Sequence, residues 1–169
     1  MITGRAWVFG DDVDTDQMMP TRVLFRDITA QAAAVFEGLR PGWPNLVQPG
    51  DVLIGGRNFG LGSSRPAPQP LRHLGIACVL AESLNGLFFR NCVSYGLLAL
   101  ECPGITALAE GSVVTIDIAA LQVHTPGRKL PILPVPAELL DLMQGGGILP
   151  LLEREGLVSP PQKPTEKPA

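Results

Sequence analysis

The sequence predicts an α/β fold, and three runs of residues carry that prediction. "DVLIGG" (51–56), "IACVLA" (76–81) and "LLALE" (97–101) are continuous apolar runs of strand length, as strands covered on both faces read. The segments between them have helical chemistry, so strand and helix alternate as in a parallel sheet with crossover helices. With 169 residues and 46% apolar composition, the chain can bury one sizeable core.

"RAWVF" (5–9) is a short first strand, followed by the acidic loop "GDDVDTDQMMP" (10–20). "DITAQAAAVFEG" (27–38) reads as a helix, capped by Asp27 or Thr29, alanine-rich in its middle and stopped at Gly38. "LRPGWPNLVQPG" (39–50) is a turn-rich connector to "DVLIGG". Beyond "NFGLGSSRP" (58–66), "LRHLG" is a short helical turn before "IACVLA". Ser83 is placed to cap a helix over "LNGLFFRNCVSY" that Gly96 ends. After "LLALE" the character changes: "SVVTIDI", "LQVHT" and "KLPIL" are short strands with turns between them, expected to pair antiparallel. "PAELLDLMQGG" and "GILPLLEREG" supply closing helices, with Pro136 suited to a first helical turn. The reading is one domain over 1–158 and a disordered tail over 159–169, "SPPQKPTEKPA".

Composition narrows the function. Net charge is −3, no Lys/Arg run is present and aromatics are few, so the footprint of a nucleic-acid binder is missing. No apolar stretch reaches membrane-spanning length, and the N-terminus does not read as a signal peptide. Cys78, Cys92 and Cys102 lack C-x-x-C spacing, which points to a reduced, cytoplasmic protein and against a metal or cluster held by this chain alone. His73 and His124 are far apart in sequence and are not expected to bind a metal.

The chemistry concentrates in "NFGLGSSRP". Gly60 and Gly62 fit G-x-G, but Arg65 occupies the third glycine position and Pro66, Pro68 and Pro70 interrupt the helix of a dinucleotide fold. No P-loop lysine or hydrolase elbow is present. What remains is glycine-rich backbone whose N–H groups can face an anion, with Pro66 expected to start a helix at the same point. Ser63, Ser64 and Arg65 would line that pocket, Arg65 offering a fork for a carboxylate. The alternative, equally open on chemistry alone, is a strand-to-helix turn whose serines merely cap. Asp12, Asp14 and Asp16 alternate in the acidic loop and would share a face if extended. Gln17 and Val23 break an EF-hand pattern there, which leaves a solvated loop.

"GDDVDTDQMMPTRVL", "GGRNFGLGSSR" and "LGIACVLAESLNGLFFRNCVSYGLLAL", followed by "ECPG", together resemble the small subunits of the 3-isopropylmalate dehydratase family. Those are similar to the swivelling C-terminal domain of aconitase, and the resemblance spans residues 5 to about 155. It implies a three-layer β/β/α swivelling domain, a large aconitase-like partner subunit carrying a [4Fe–4S] cluster, and reversible dehydration of a 2-hydroxy diacid in leucine biosynthesis. By matching positions it implies Ser63 as catalytic base, Asp16 beside it, Ser64 and Arg65 on substrate carboxylate and Arg22 reaching substrate, with Arg26 a weaker candidate. Gly60 and Gly62 would shape the anion-stabilising loop, and Asn58 and Asn91 read as structural hydrogen-bonders. The chain departs from the family's usual Glu-His-Ala after "GSSR", having Pro66, Ala67 and Pro68. It is also one residue shorter between Arg65 and Gly75, and it has Leu61 where many relatives have cysteine. Two alternatives stand beside this reading. One is a paralogous small subunit for dimethylmalate, citramalate/citraconate or homoaconitate; the other is a non-catalytic diacid-binding module.

Overall fold

A computed structural model of the chain describes residues 1–159. In chain order the elements are β1 (Ile2–Val8), α1 (Thr15–Met18), α2 (Ile28–Ala33), β2 (Val52–Gly55), α3 (Pro68–His73), β3 (Cys78–Ala81) and α4 (Gly86–Tyr95). They continue with β4 (Leu98–Glu101), β5 (Val113–Asp117), β6 (Gln122–Thr125), β7 (Arg128–Pro131), α5 (Ala137–Gln144) and α6 (Ile148–Arg154). The strands form one mixed sheet in the order β4-β3-β2-β1-β5-β6-β7. Among the described residues no helix is long and apolar enough to cross a membrane.

The two halves of the sheet divide β1 between them. Ala6–Val8 pair in parallel with β2, whereas Ile2–Arg5 pair antiparallel with β5. Gly4 permits this division, because a Cβ there would lie 2.0 Å from the carbonyl oxygen of Gly50. The parallel half is the buried one: every residue of β2 and β3 is buried, as their unbroken apolar runs predict. Helix α4 packs on it against β4, with α3, α5 and α6 as its helical neighbours. The antiparallel half alternates more, with Val114, Ile116 and Val123 inward. This mixed, curled sheet with its helical layer is the expected swivelling-domain fold.

Several boundaries differ from the expectations, each for a local reason. Asp27 caps α2 by accepting the Ala30 N–H at 2.9 Å, but the helix ends at Ala33 rather than at Gly38. Phe36 turns into the left-handed region (φ 55°), and its ring packs 4.3 Å from that of Phe9, centroid to centroid. Trp43 joins both rings edge-on, and about 0.5–1.5 kcal/mol per aromatic pair rewards that bend. Asn85, not Ser83, caps α4, its side chain accepting the Leu87 N–H. Gly96 ends that helix in the left-handed conformation, as read from the sequence. Pro136 stands at the N-cap of α5, one residue ahead of the first turn. The tail's residues 160–169 lie outside the described residues.

The parallel pairing of β1 and β2 continues past their carboxyl ends. Gly56 N–H donates to Gly10 O, Asp12 N–H to Arg57 O, Gly60 N–H to Val13 O and Thr15 N–H to Leu61 O, all at 2.8–3.0 Å. Two loops are thereby stitched side by side beyond the sheet, the usual place for a ligand crevice in parallel α/β folds. One leads into α1 and the other carries Ser63.

Candidate active site

The acidic loop is not extended over its three alternating aspartates. Asp12 adopts a left-handed backbone (φ 53°) and accepts from Asn58 Nδ2 at 3.0 Å. Asp14 caps α1 through a reciprocal box: its carboxylate accepts the Gln17 N–H at 2.7 Å, and Gln17 Oε1 accepts the Asp14 N–H at 3.0 Å. Such a box contributes about 1 kcal/mol and turns the chain sharply at that point. Asp16 then stands in the first turn of α1, exposed, with no partner from its own loop.

That partner comes from the other loop. Arg65 Nε lies 2.8 Å from Asp16 Oδ1 and donates to Ser63 Oγ at 3.1 Å. Nη1 donates to the Met19 carbonyl at 2.9 Å and Nη2 to Thr21 Oγ1 at 3.1 Å. A guanidinium has five N–H donors, so one N–H on each terminal nitrogen remains for a ligand. The Arg65 side chain is only 14% exposed, so packing holds it in place, whereas Ser63 and Ser64 are exposed.

The glycines divide their work. Gly60 (φ 84°) passes so close to Phe88 that a Cβ would lie 2.2 Å from the ring. Its own N–H is committed to Val13 O, so Gly60 docks the loop on α4 and does not donate into the pocket. Gly62 (φ 106°) makes the turn beside Thr15. Among the described residues, no protein acceptor takes the N–H of Gly62, Ser63, Ser64 or Arg65. These four adjacent main-chain donors lie on a loop exposed over residues 61–64. Pro66 does not begin the next helix: α3 starts at Pro68, with a turn in which Gln69 N–H donates to Pro66 O.

Arg22 is engaged elsewhere. Its guanidinium forks onto the Glu37 carboxylate, Nε to Oε1 at 2.8 Å and Nη2 to Oε2, and this holds the Glu37 carboxyl below its ordinary range. The structure brings Ser63, Arg65 and Asp16 together and places Arg22 on a different carboxylate. Arg26 makes no side-chain hydrogen bond or ion pair among the described residues.

Thr15 is a contributor the sequence reading missed. It is fully buried, and its Oγ1 donates to the Ser63 carbonyl at 3.0 Å. From the other side, Asn91 Nδ2 donates to the Arg65 carbonyl at 2.9 Å. Asn58 anchors the loop's entry: its N–H donates to Ser83 Oγ at 2.8 Å, and its Oδ1 accepts from Asn85 Nδ2 at 3.2 Å. A threonine between two aspartates gives no periodic signal that would separate it from its neighbours.

These residues do not build a metal or cluster cradle. Among the described residues no three His, Cys, Asp or Glu side chains are placed to hold a metal ion. Cys78, Cys92 and Cys102 are buried, and burial pushes all three thiols up, Cys102 to about 11.

Three comparisons bear on this arrangement. The sequence pattern of the aconitase C-terminal domain matches residues 47–104, which include the Ser63 loop. The chain is 41% identical over 161 residues to the 3-isopropylmalate dehydratase small subunit 1 of Methanopyrus kandleri, covering 92% of this chain and 95% of that protein. The chain belongs to the 3-isopropylmalate dehydratase small-subunit family. A second member, the isopropylmalate/citramalate isomerase small subunit of Methanocaldococcus jannaschii, is 38% identical over 92% of this chain and 95% of its own length. The crystal structure of 3-isopropylmalate dehydratase from the same organism superposes with a TM-score of 0.84 at 31% identity, covering 92% of this chain and 95% of that one. The family's fold is therefore present nearly end to end.

Proposed function

We propose that this chain is the small subunit of a two-subunit hydro-lyase, a 3-isopropylmalate dehydratase, which interconverts 2- and 3-isopropylmalate by losing and re-adding water. Ser63 acts as the base that removes the proton beside a substrate carboxylate. Arg65 holds substrate carboxylate with Ser64, and Asp16 pairs its charge with Arg65 at the nitrogen whose N–H Ser63 accepts. The observation that carries this reading is that convergence on Arg65 Nε, beside four main-chain N–H groups without a protein acceptor.

A serine hydroxyl is a poor base unless its alkoxide is stabilised. Donors aimed at developing negative charge in a dry site are worth several kcal/mol, and the N–H groups of residues 62–65 with Arg65 can supply them. The proton moves from substrate carbon to the Ser63 alkoxide, re-forming its hydroxyl as the C–O bond to the departing hydroxyl on the adjacent carbon breaks. When water re-adds, Ser63 returns the proton to carbon and is again the alkoxide. Lewis-acid help for the departing hydroxyl belongs to the [4Fe–4S] cluster, which the family resemblance assigns to the large subunit. Because Ser63 and Ser64 are exposed in this chain alone, water exclusion falls to that partner.

The test is reconstitution. This chain alone should not turn over 2-isopropylmalate, and addition of a cluster-loaded large subunit should confer turnover. Ser63→Ala should abolish that turnover while substrate still binds by calorimetry. Persistent turnover in Ser63→Ala would sink the base assignment; binding without turnover in the wild-type pair would favour a non-catalytic module. A second reading, a small subunit that also serves citramalate, is favoured by the name and 38% identity of the Methanocaldococcus jannaschii relative. A panel of 2-hydroxy diacids on the reconstituted pair decides between them.

A further inference from the structure

We infer that Thr15 and Asn91 are positioning residues that hold the two ends of the Ser63–Arg65 tripeptide, Thr15 acting mainly on the proton-transfer side and Asn91 mainly on the carboxylate-gripping side. The inference rests on the reading of Ser63 as base.

The peptide units are planar and no cis bond is present, so fixing a carbonyl fixes the N–H across the same bond. Thr15 Oγ1 holds the Ser63 carbonyl at 3.0 Å from a fully buried position. The Ser64 N–H must then point away from Thr15, and it has no protein acceptor among the described residues. The clamp is rigid because Thr15 is fixed at both ends: its N–H donates to Leu61 O at 2.8 Å, and the Asp14 capping box holds its helix. Removing the hydroxyl frees that peptide plane to rotate, which withdraws a donor from the Ser63 side of the pocket.

Asn91, on α4, holds the Arg65 carbonyl at 2.9 Å. The following residue is Pro66, which has no N–H and a fixed φ, so this peptide unit can only be anchored through its carbonyl. The Arg65 carbonyl is therefore tied by that one side chain, and the next backbone bond is made by the Pro66 carbonyl, which accepts the Gln69 N–H at 3.0 Å. The guanidinium end is held separately, by Met19 O and Thr21 Oγ1. Loosening the backbone end shifts the base of a side chain whose tip is fixed, and that disturbs its grip on a carboxylate.

The experiment uses the reconstituted, cluster-loaded two-subunit enzyme with 2-isopropylmalate. Thr15→Val should lower kcat about 10- to 100-fold with KM changed less than about threefold, since misplacement by an ångström can cost that much. Thr15→Ser, which restores the hydroxyl, should return kcat to within about threefold of wild type. Asn91→Ala should instead raise KM about 5- to 20-fold, with the smaller effect on kcat. General damage to the fold would lower the yield of assembled enzyme and would not split kcat from KM in opposite patterns. Assembled Thr15→Val with wild-type kcat overturns the inference, as does Thr15→Ser as impaired as Thr15→Val. If Thr15→Val does not assemble, an unchanged KM in Asn91→Ala overturns it. Ser63→Ala run in parallel separates the two failures: if that variant stays active, the base assignment has failed; if it is dead while Thr15→Val is unimpaired, only the present inference has.

Discussion

Arg65 donates through its Nε–H to Ser63 Oγ, two residues back in the chain, at 3.1 Å. Its terminal nitrogens are held at the same time, Nη1 by the Met19 carbonyl and Nη2 by Thr21 Oγ1. Arg65→Lys tests that arrangement. An ammonium keeps the charge but cannot reach Met19 O, Thr21, Asp16 and Ser63 at once. We expect kcat/KM in the reconstituted enzyme to fall at least about 100-fold, with a clear rise in KM, while the thermal midpoint moves by only a few degrees. Steady-state kinetics over a range of substrate concentrations checks it.

The parallel core was legible because its strands are uniformly apolar: "VLIG" and "CVLA" could not lie on a half-solvated face. The Ser63 loop was legible because glycine, hydroxyl and guanidinium seldom crowd together without a turn to make. The helix ends were less so. Ser83 and Asn85 are both good caps, and only the loop from β2 decides that Ser83 is occupied with Asn58. Arg22 is a similar case, since nothing local ties it to Glu37, fifteen residues on. Thr15 was hidden because its value lies in which carbonyl it meets, and sequence spacing does not report that.

Gly60 should tolerate no side chain. Its φ of 84° is left-handed, and a methyl group would meet the Phe88 ring at 2.2 Å, with Phe88 itself fully buried. Gly60→Ala should therefore destabilise the chain by about 1–3 kcal/mol through overpacking, with backbone strain in addition. Denaturant unfolding followed by circular dichroism measures this. Gly86→Ala is the control, because nothing lies within 4 Å of the Cβ it would add.

The three thiols should be silent in the native protein. All are buried, and burial raises them above the ordinary thiol value, Cys102 to about 11. At pH 8 the thiolate that attacks a disulfide reagent is then scarce as well as shielded. Titration with an aromatic disulfide reagent should label fewer than one thiol per chain over minutes, and all three in denaturant. Fast labelling of even one thiol under native conditions would contradict the packing of β3, α4 or the turn after β4.

Asp51 ties acid stability to the start of the fold. Its carboxylate is buried, yet its Oδ2 accepts from Arg5 Nη2 at 2.8 Å, Trp7 Nε1 at 2.7 Å and the Gln48 N–H at 2.9 Å. Burial alone would push this carboxyl up; the bonds from Arg5, Gln48 and Trp7 outweigh it and leave it below its ordinary value. A carboxyl lowered by folding contributes its stability in full above the unfolded value of about 4. That contribution fades as pH drops below this value and is gone once pH has fallen through the lower folded value. Thermal midpoints should therefore be flat from pH 7 to about 5 and then decline, with Asp51 one contributor to the decline. Asp51→Asn keeps one acceptor oxygen but loses the charge that Arg5 and Trp7 address, so it should cost about 2–3 kcal/mol at pH 7. The difference between the two proteins should shrink as pH falls toward 3, because protonation then does to the wild type what the substitution has already done. A gap that stays constant down to pH 3 would show that Asp51 serves through shape and not through charge.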